Sequence, residues 1–237
     1  MRSLFVCWVV LLTAVGARAA SLDPLKEPLR REKSIVLVAG INDTYEHFRP
    51  WFDHLRQQEA DVWGFTEDHR EHSMTDNATS LAASLERLQA DGAKSITVLA
   101  HSMGGLVAKK ALHLLAQNGV LQGFETVTLT AYGTPWGGNS LSEVATALPG
   151  IKFMLKLLSL PMGLEMSPSS AFMASLREPL PSNVNFEVVQ SADDSVARPK
   201  GSSAVSQYNV ILAQTSRVEN LQAVSHDGFV ANTKPSL

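Results

Sequence analysis

Cysteine is nearly absent from this chain. Its 237 residues hold one, Cys7, inside an apolar N-terminal run. No disulfide can therefore staple the fold, and a Cys-based metal site is excluded. Cationic charge is also scarce, with 20 Lys and Arg against 23 Asp and Glu, a net charge of −3. A chain this acidic, without a basic stripe, is not built to hold nucleic acid. Electrostatic attachment to an anionic membrane is disfavoured for the same reason. Low-complexity segments and internal repeats are missing too. Hydrophobic residues at 45% and charged residues at 18% suit an ordered globular protein with one sizeable core.

The first 19 residues have their own character. Arg2 gives a basic start, Leu4 to Val15 an apolar stretch, and Ala17-Arg18-Ala19 a small-x-small cleavage pattern. This is the composition of an export signal, and the apolar stretch is short of the ~20 residues a membrane span needs. An uncleaved anchor is the alternative. Cleavage after Ala19 removes two arginines and takes the net charge from −3 to −5. The expected location is secreted or periplasmic, with residues 20–237 forming one domain.

Strand and helix patterns alternate along that domain. Residues 20–33, with Pro24 and Pro28, read as an extended arm. Strands are expected at Ser34 to Ala39, Ala60 to Phe65, Ser95 to Ala100, Thr126 to Ala131, Asn185 to Gln190 and about Val218 to Val224. Helices are expected over Tyr45 to Gln58, Asp76 to Ala90 and Ser102 to Gln117. Continuous apolar strands separated by amphipathic helices predict a mostly parallel sheet of about six strands with helices on both faces. One insertion, residues 140–178, breaks the rhythm. Its apolar run Leu148 to Leu164 is interrupted by Pro and Gly and reads as a cap or lid able to touch lipid. An ordinary buried helix is the competing reading.

Ala100-His-Ser-Met-Gly-Gly105 follows a buried-type strand and opens a helix. A serine on so sharp a turn needs small residues two before and two after it, and Ala100 and Gly104 satisfy this. Ser102 is the candidate nucleophile, and the Met103 N–H at the helix start is a candidate oxyanion donor. A serine hydroxyl needs a base, and that base needs an orienting acid. Of the seven histidines, His226 lies on a loop after the last strand. His47, His54 and His113 fall on helices, and His101 flanks the serine but points off the turn. His69 and His72 lie in a polar loop whose Asp68-His-Arg-Glu71-His72 pattern reads as solvated surface rather than a metal site.

These residues resemble the secreted α/β-hydrolase lipases and esterases, in particular the minimal bacterial triacylglycerol lipases. Tyr132-Gly-Thr-Pro-Trp-Gly-Gly138 resembles their Thr-Pro-x-x-Gly turn, and the resemblance covers most of residues 34–230. It implies a Ser–Asp–His chain order. The acid is then expected after the fifth strand, where Asp193 precedes Val196 by three, as in similar lipases. Asp194 is the alternative, with an Asx-turn role otherwise. The resemblance places a second oxyanion donor at Ile41, after Gly40, with Asn42 nearby. The usual histidine of that loop is missing. Trp136 would line the pocket mouth or else pack in the core. The implied activity is cleavage of carboxylic, lipid or acyl, esters through an acyl-enzyme, without cofactor or metal. A phospholipid or lipid-linked-glycan deacylase or acyltransferase, and a silent hydrolase-like binding protein, are the competing readings. Asn42-Asp-Thr44 and Asn77-Ala-Thr79 also match the glycosylation pattern, as short motifs do by chance.

Overall fold

The computed structural model describes residues 20–25, 28, 32–41, 43–67, 72–138 and 161–235. Seven strands form one sheet: β1 (Ser21–Pro24), β2 (Lys33–Val38), β3 (Asp61–Thr66), β4 (Ser95–His101), β5 (Thr126–Tyr132), β6 (Val184–Ser191) and β7 (Arg217–Leu221). Their order across the sheet is β1-β3-β2-β4-β5-β6-β7. All neighbours are parallel except β1, which pairs antiparallel with β3. The expected extended arm is thus partly an edge strand, and the six expected strands become seven.

Alternation along each strand divides the core into two layers. Val36, Val38, Ile96, Val98, Ala100, Val127, Leu129 and Ala131 face one side. That side is covered by α2 (Met74–Ala90) and α3 (Met103–Gln117). Ile35, Leu37, Ala39, Leu99 and Tyr132 face the other, packing with Phe48, Trp51, Phe52, Leu55 and Phe229. α2 starts on a capping box, in which the Ser73 hydroxyl accepts from Asp76 N–H and the Asp76 carboxylate accepts from Ser73 N–H.

The expected helix over Tyr45 to Gln58 is split. Tyr45–Trp51 is a 3-10 helix and only Phe52–Arg56, α1, is α-helical. Pro50 sits inside the first piece and has no N–H to give. Asn77 is fully buried and donates to the Ser73 carbonyl, so the second glycosylation pattern is closed to modification.

Of the 140–178 insertion, residues 140–160 lie outside the described residues. The rest holds two short helices, α4 (Pro161–Glu165) and α5 (Ala171–Ser175). Met162, Met166, Phe172, Met173 and Leu176 enter the core, while Leu164 is 74% exposed. This leg of the insertion is therefore packed structure. Glu165 accepts from Met74 N–H and the Thr75 hydroxyl at the start of α2. Lys109, on α3, is buried and donates to the carbonyls of Leu176 and Glu178 and to Gln214 Oε1 at 2.6–2.8 Å. Burial pushes its pKa down to about 7, with Glu178 opposing. Gln214 follows α6 (Gly201–Leu212), a helix the sequence pattern did not reveal, and α7 (Phe229–Asn232) ends the described fold.

Gly104 fixes how α3 meets the sheet. A Cβ there would lie 2.3 Å from the Ala39 carbonyl oxygen and 2.6 Å from that of Val38. Those atoms are main chain at the end of β2 and have no rotamer with which to yield. Gly104→Ala is expected to cost about 1–3 kcal/mol by overpacking. Chemical denaturation checks this, with wild-type stability as the contrary result. A second expectation concerns acid. Burial holds His113 down at about 4 and His101 at about 3, against 6.5 for the free side chain. Above pH 6.5 both states leave these rings neutral. Below it the unfolded chain takes up protons that the folded chain refuses, so stability falls as pH drops toward 4. Melting temperatures across this range should fall less steeply for His113→Phe than for wild type, and equal slopes would remove His113 from the account.

Candidate active site

The sheet order reverses direction between β2 and β4, because the chain runs outward to β3 and then crosses back. Crevices beyond the strand C-termini at such a point are where parallel sheets hold ligands. β4, the central strand, ends there at His101, and Ser102 makes the turn into α3. Ser102 has φ 55° and ψ −131°, one of two described non-glycine residues with positive φ. Its N–H donates to the Tyr132 carbonyl at 2.9 Å, and its carbonyl accepts from Gly105 N–H at 3.1 Å. A side chain at position 104 would press on the end of β2. Ala100 and Gly104, the small residues of the turn, are both buried.

Ser102 Oγ lies 2.8 Å from His226 Nε2. His226 begins a short 3-10 turn after β7. Its other nitrogen, Nδ1, lies 3.0 and 3.1 Å from the two carboxylate oxygens of Asp194. The Asp194 side chain is 1% exposed and that of His226 13%. Asp194 Oδ1 also accepts from the N–H groups of Val196 and Ala197, each at 2.9 Å. These bonds aim the carboxylate inward and satisfy a charge removed from water.

The acid is the point at which the sequence expectation is corrected. Asp193 does not face His226. It is exposed, and its Oδ2 accepts from Ala223 N–H at 2.9 Å. Ala223 is the other positive-φ residue, at 55°, three positions before His226. Asp193 thus braces the loop that carries the histidine, while Asp194 meets the imidazole. The expectation followed a spacing to Val196. In the structure that spacing serves a different end: Val196 N–H belongs to the turn that clasps Asp194.

Met103 begins α3 and is buried, with the free backbone donors of a helix start at its position. Gly40 closes the other side. A Cβ on it would lie 2.7 Å from Ser102 Cβ and 3.1 Å from Oγ, so the loop after β2 rests directly on the serine. Ile41 follows and is half-buried against the core. Asn42 lies outside the described residues.

Trp136 is corrected as well. It is fully buried, edge-on to Phe186 with ring centres 5.4 Å apart. The Thr-Pro-Trp turn folds under β6, so the indole is core and not pocket mouth. His54 is exposed and His113 is buried. His69, Asp68 and Glu71 lie outside the described residues, and no metal-binding cluster of His, Cys, Asp and Glu occurs among those described. His101 was set aside in the sequence because it points off the turn. It does so, yet it reaches the carbonyl of His226, with Nε2 at 2.9 Å from that oxygen.

No curated protein matches this sequence. Solved structures share its architecture at low identity. A carboxylesterase of the thaumarchaeon Nitrososphaera gargenis is 13% identical with a TM-score of 0.59, matching 90% of this chain and 89% of its own. The monoacylglycerol lipase of Paleococcus ferrophilus is 12% identical with a TM-score of 0.58, matching 87% and 90%. Lipase B of Aspergillus fumigatus is 17% identical with a TM-score of 0.60, matching 84% of this chain but 49% of the lipase. Together with the sheet order, these place the chain in the α/β-hydrolase fold. A family model matches residues 30–169, more than half the chain. Its description is "Putative serine esterase (DUF676)", and this chain belongs to that family.

Proposed function

We propose that the protein is an exported serine hydrolase of acyl or lipid carboxylic esters working through an acyl-enzyme. The observation that carries this reading is the unbroken Asp194–His226–Ser102 relay, with Nε2 2.8 Å from Oγ and Nδ1 3.0 Å from the carboxylate.

In the proposed mechanism Asp194 accepts a hydrogen bond from Nδ1–H of His226, which keeps the proton on Nδ1 and leaves Nε2 free to act as base. Ser102 Oγ attacks the ester carbonyl and His226 takes its proton. Negative charge gathers on the carbonyl oxygen, held by the N–H groups of Met103 and Ile41. Collapse of the tetrahedral species breaks the C–O bond, and His226 returns its proton to the leaving alcohol. Water then attacks the acyl-serine with the same help, releasing the acid and restoring Ser102.

An acyl or lipid substrate is favoured by the apolar Leu148 to Leu164 run and by Leu164, exposed beside the packed leg of the insertion. Export is favoured by the composition of residues 1–19. No helix among the described residues is long and apolar enough to cross a membrane.

A fluorophosphonate probe should label the wild-type protein and not Ser102→Ala. Absence of labelling on folded wild type would sink the enzyme reading in favour of a silent binding protein. Asp194→Asn should lower kcat roughly 10³–10⁴-fold, because it favours the wrong histidine tautomer. Asp193→Asn should lose far less, and an equal loss would return the acid to Asp193. On a series of simple esters from acetyl to palmitoyl, with phospholipid alongside, turnover should rise beyond acetyl. Activity confined to acetyl esters would remove the lipid part of the proposal.

A further inference from the structure

His101 is the residue the mechanism above leaves unused, and it is among the most enclosed polar side chains in the molecule. It is 3% exposed. It ends β4 opposite Tyr132, on the sheet face that carries Leu99. Strand alternation therefore sends its ring away from Ser102 and under the layer formed by the 3-10 helix and α7. There it lies between two other imidazoles. His47 stacks on one side, with centroids 4.4 Å apart and planes 16° from parallel. His226 lies on the other, 5.0 Å away and tilted by 39°. Phe229 closes a third side at 6.3 Å. His47 is itself held by Asp43, Nδ1 to Oδ2 at 2.8 Å.

Among the described residues, one hydrogen bond ties His101 to its surroundings. Its Nε2 lies 2.9 Å from the main-chain oxygen of His226, while Nδ1 is buried without a hydrogen-bond partner. A carbonyl can only accept, so the ring donates from Nε2–H, and Nδ1 carries the lone pair. Burial, with His226 and His47 adding to it, holds the pKa of His101 at about 3. The ring is neutral whenever the relay is active, and it adds no positive charge against the imidazolium that forms on His226.

We propose that His101 is a positioning residue: its Nε2–H fixes the main chain of His226 and thereby the place of the catalytic imidazole between Asp194 and Ser102. This rests on the serine-esterase reading. Asp193 braces the same loop through Ala223 N–H, three residues earlier. The segment that presents His226 is thus held at two points, by Asp193 three residues before it and by His101 at its own carbonyl. His47, held by Asp43 of the loop after β2, packs flat on the other face of the His101 ring.

Three substitutions separate donor from volume. His101→Phe keeps an aromatic ring and removes the donor. His101→Gln keeps an N–H near the position of Nε2. His101→Asn has a donor too short to reach. Phe and Asn should lower kcat roughly five- to tenfold, the rate equivalent of one hydrogen bond, with KM unchanged. Gln should restore most of the loss, at a melting temperature close to that of the Phe variant. The downfield proton resonance of the His226–Asp194 bond should broaden in Phe and Asn and sharpen again in Gln. Should His101→Phe fail to fold, the Gln and Asn pair carries the same comparison. A labelled, active wild type whose His101→Phe or His101→Asn variant keeps full kcat would overturn the role of His101 alone, as would a Gln variant no better than Asn. A wild type that neither takes the fluorophosphonate probe nor turns over any ester would overturn this role and the esterase reading together.

Discussion

Everything at this site depends on the strand-to-helix corner at Ser102. The serine sits at φ 55°, in backbone that L-residues avoid, and such a conformation persists only where its surroundings over-determine it. The surroundings here are specific. Tyr132, on the neighbouring strand β5, accepts the serine N–H. Gly104 lets the first turn of α3 lie on the last carbonyls of β2. Gly40 lets the following loop rest on the serine itself. Three parallel strands thus converge on one residue. The sheet is the jig, and the strain at Ser102 is what it holds in place.

The partners of Ser102 come from the loops after β6 and β7, toward the far side of the sheet, and those loops have no such jig. β7 is an edge strand with little buried surface. Its loop is held by side chains instead. Asp193 binds Ala223 N–H, Asp194 binds the imidazole, and His101 meets the His226 carbonyl. The packed leg of the insertion is anchored in a similar way. Lys109 from α3 collects three oxygens on it and on Gln214, and Glu165 docks on the start of α2. Where strand pairing runs out, polar side-chain contacts take over, the most enclosed of them at Lys109 with its three acceptors. Such networks cost more than apolar packing if broken, and they specify a single arrangement.

This division explains what could be read from the chain. The central strands and α2 and α3 are legible because their faces repeat with the right period and nothing interrupts them. The turn at Ser102 is legible because Ala100 and Gly104 are small, as a serine on so sharp a corner requires. α6 is not, because its inward positions are Ala204, Gln207 and Ile211. The amide of Gln207 occupies a core place, binding Met173 O and Arg177 Nε, so the apolar period is broken by a satisfied polar group. β1 is hidden by its shortness and its closing Pro24, both properties of an edge. Trp136 could not be placed because a tryptophan in a turn fits a pocket mouth and a core equally well until the turn's direction is known.

The two adjacent acids show how one residue of register decides chemistry. Asp193 and Asp194 lie in the turn that follows β6, closed by Asp194 N–H on the Ser191 carbonyl at 3.3 Å, and their carboxylates go to different partners, Ala223 N–H and His226 Nδ1. The Asx turn that reads as a merely structural alternative for Asp194 is in fact what aims it. Val196 and Ala197 N–H groups hold Oδ1 in place, and the imidazole completes its coordination. The turn role and the orienting role belong to the same carboxylate. Asp193, pointing outward, becomes available to hold the histidine loop from outside. The pair of carboxylates thus holds the ring of one histidine and the loop that leads to it, Asp194 meeting Nδ1 of His226 and Asp193 accepting from Ala223 N–H three residues earlier.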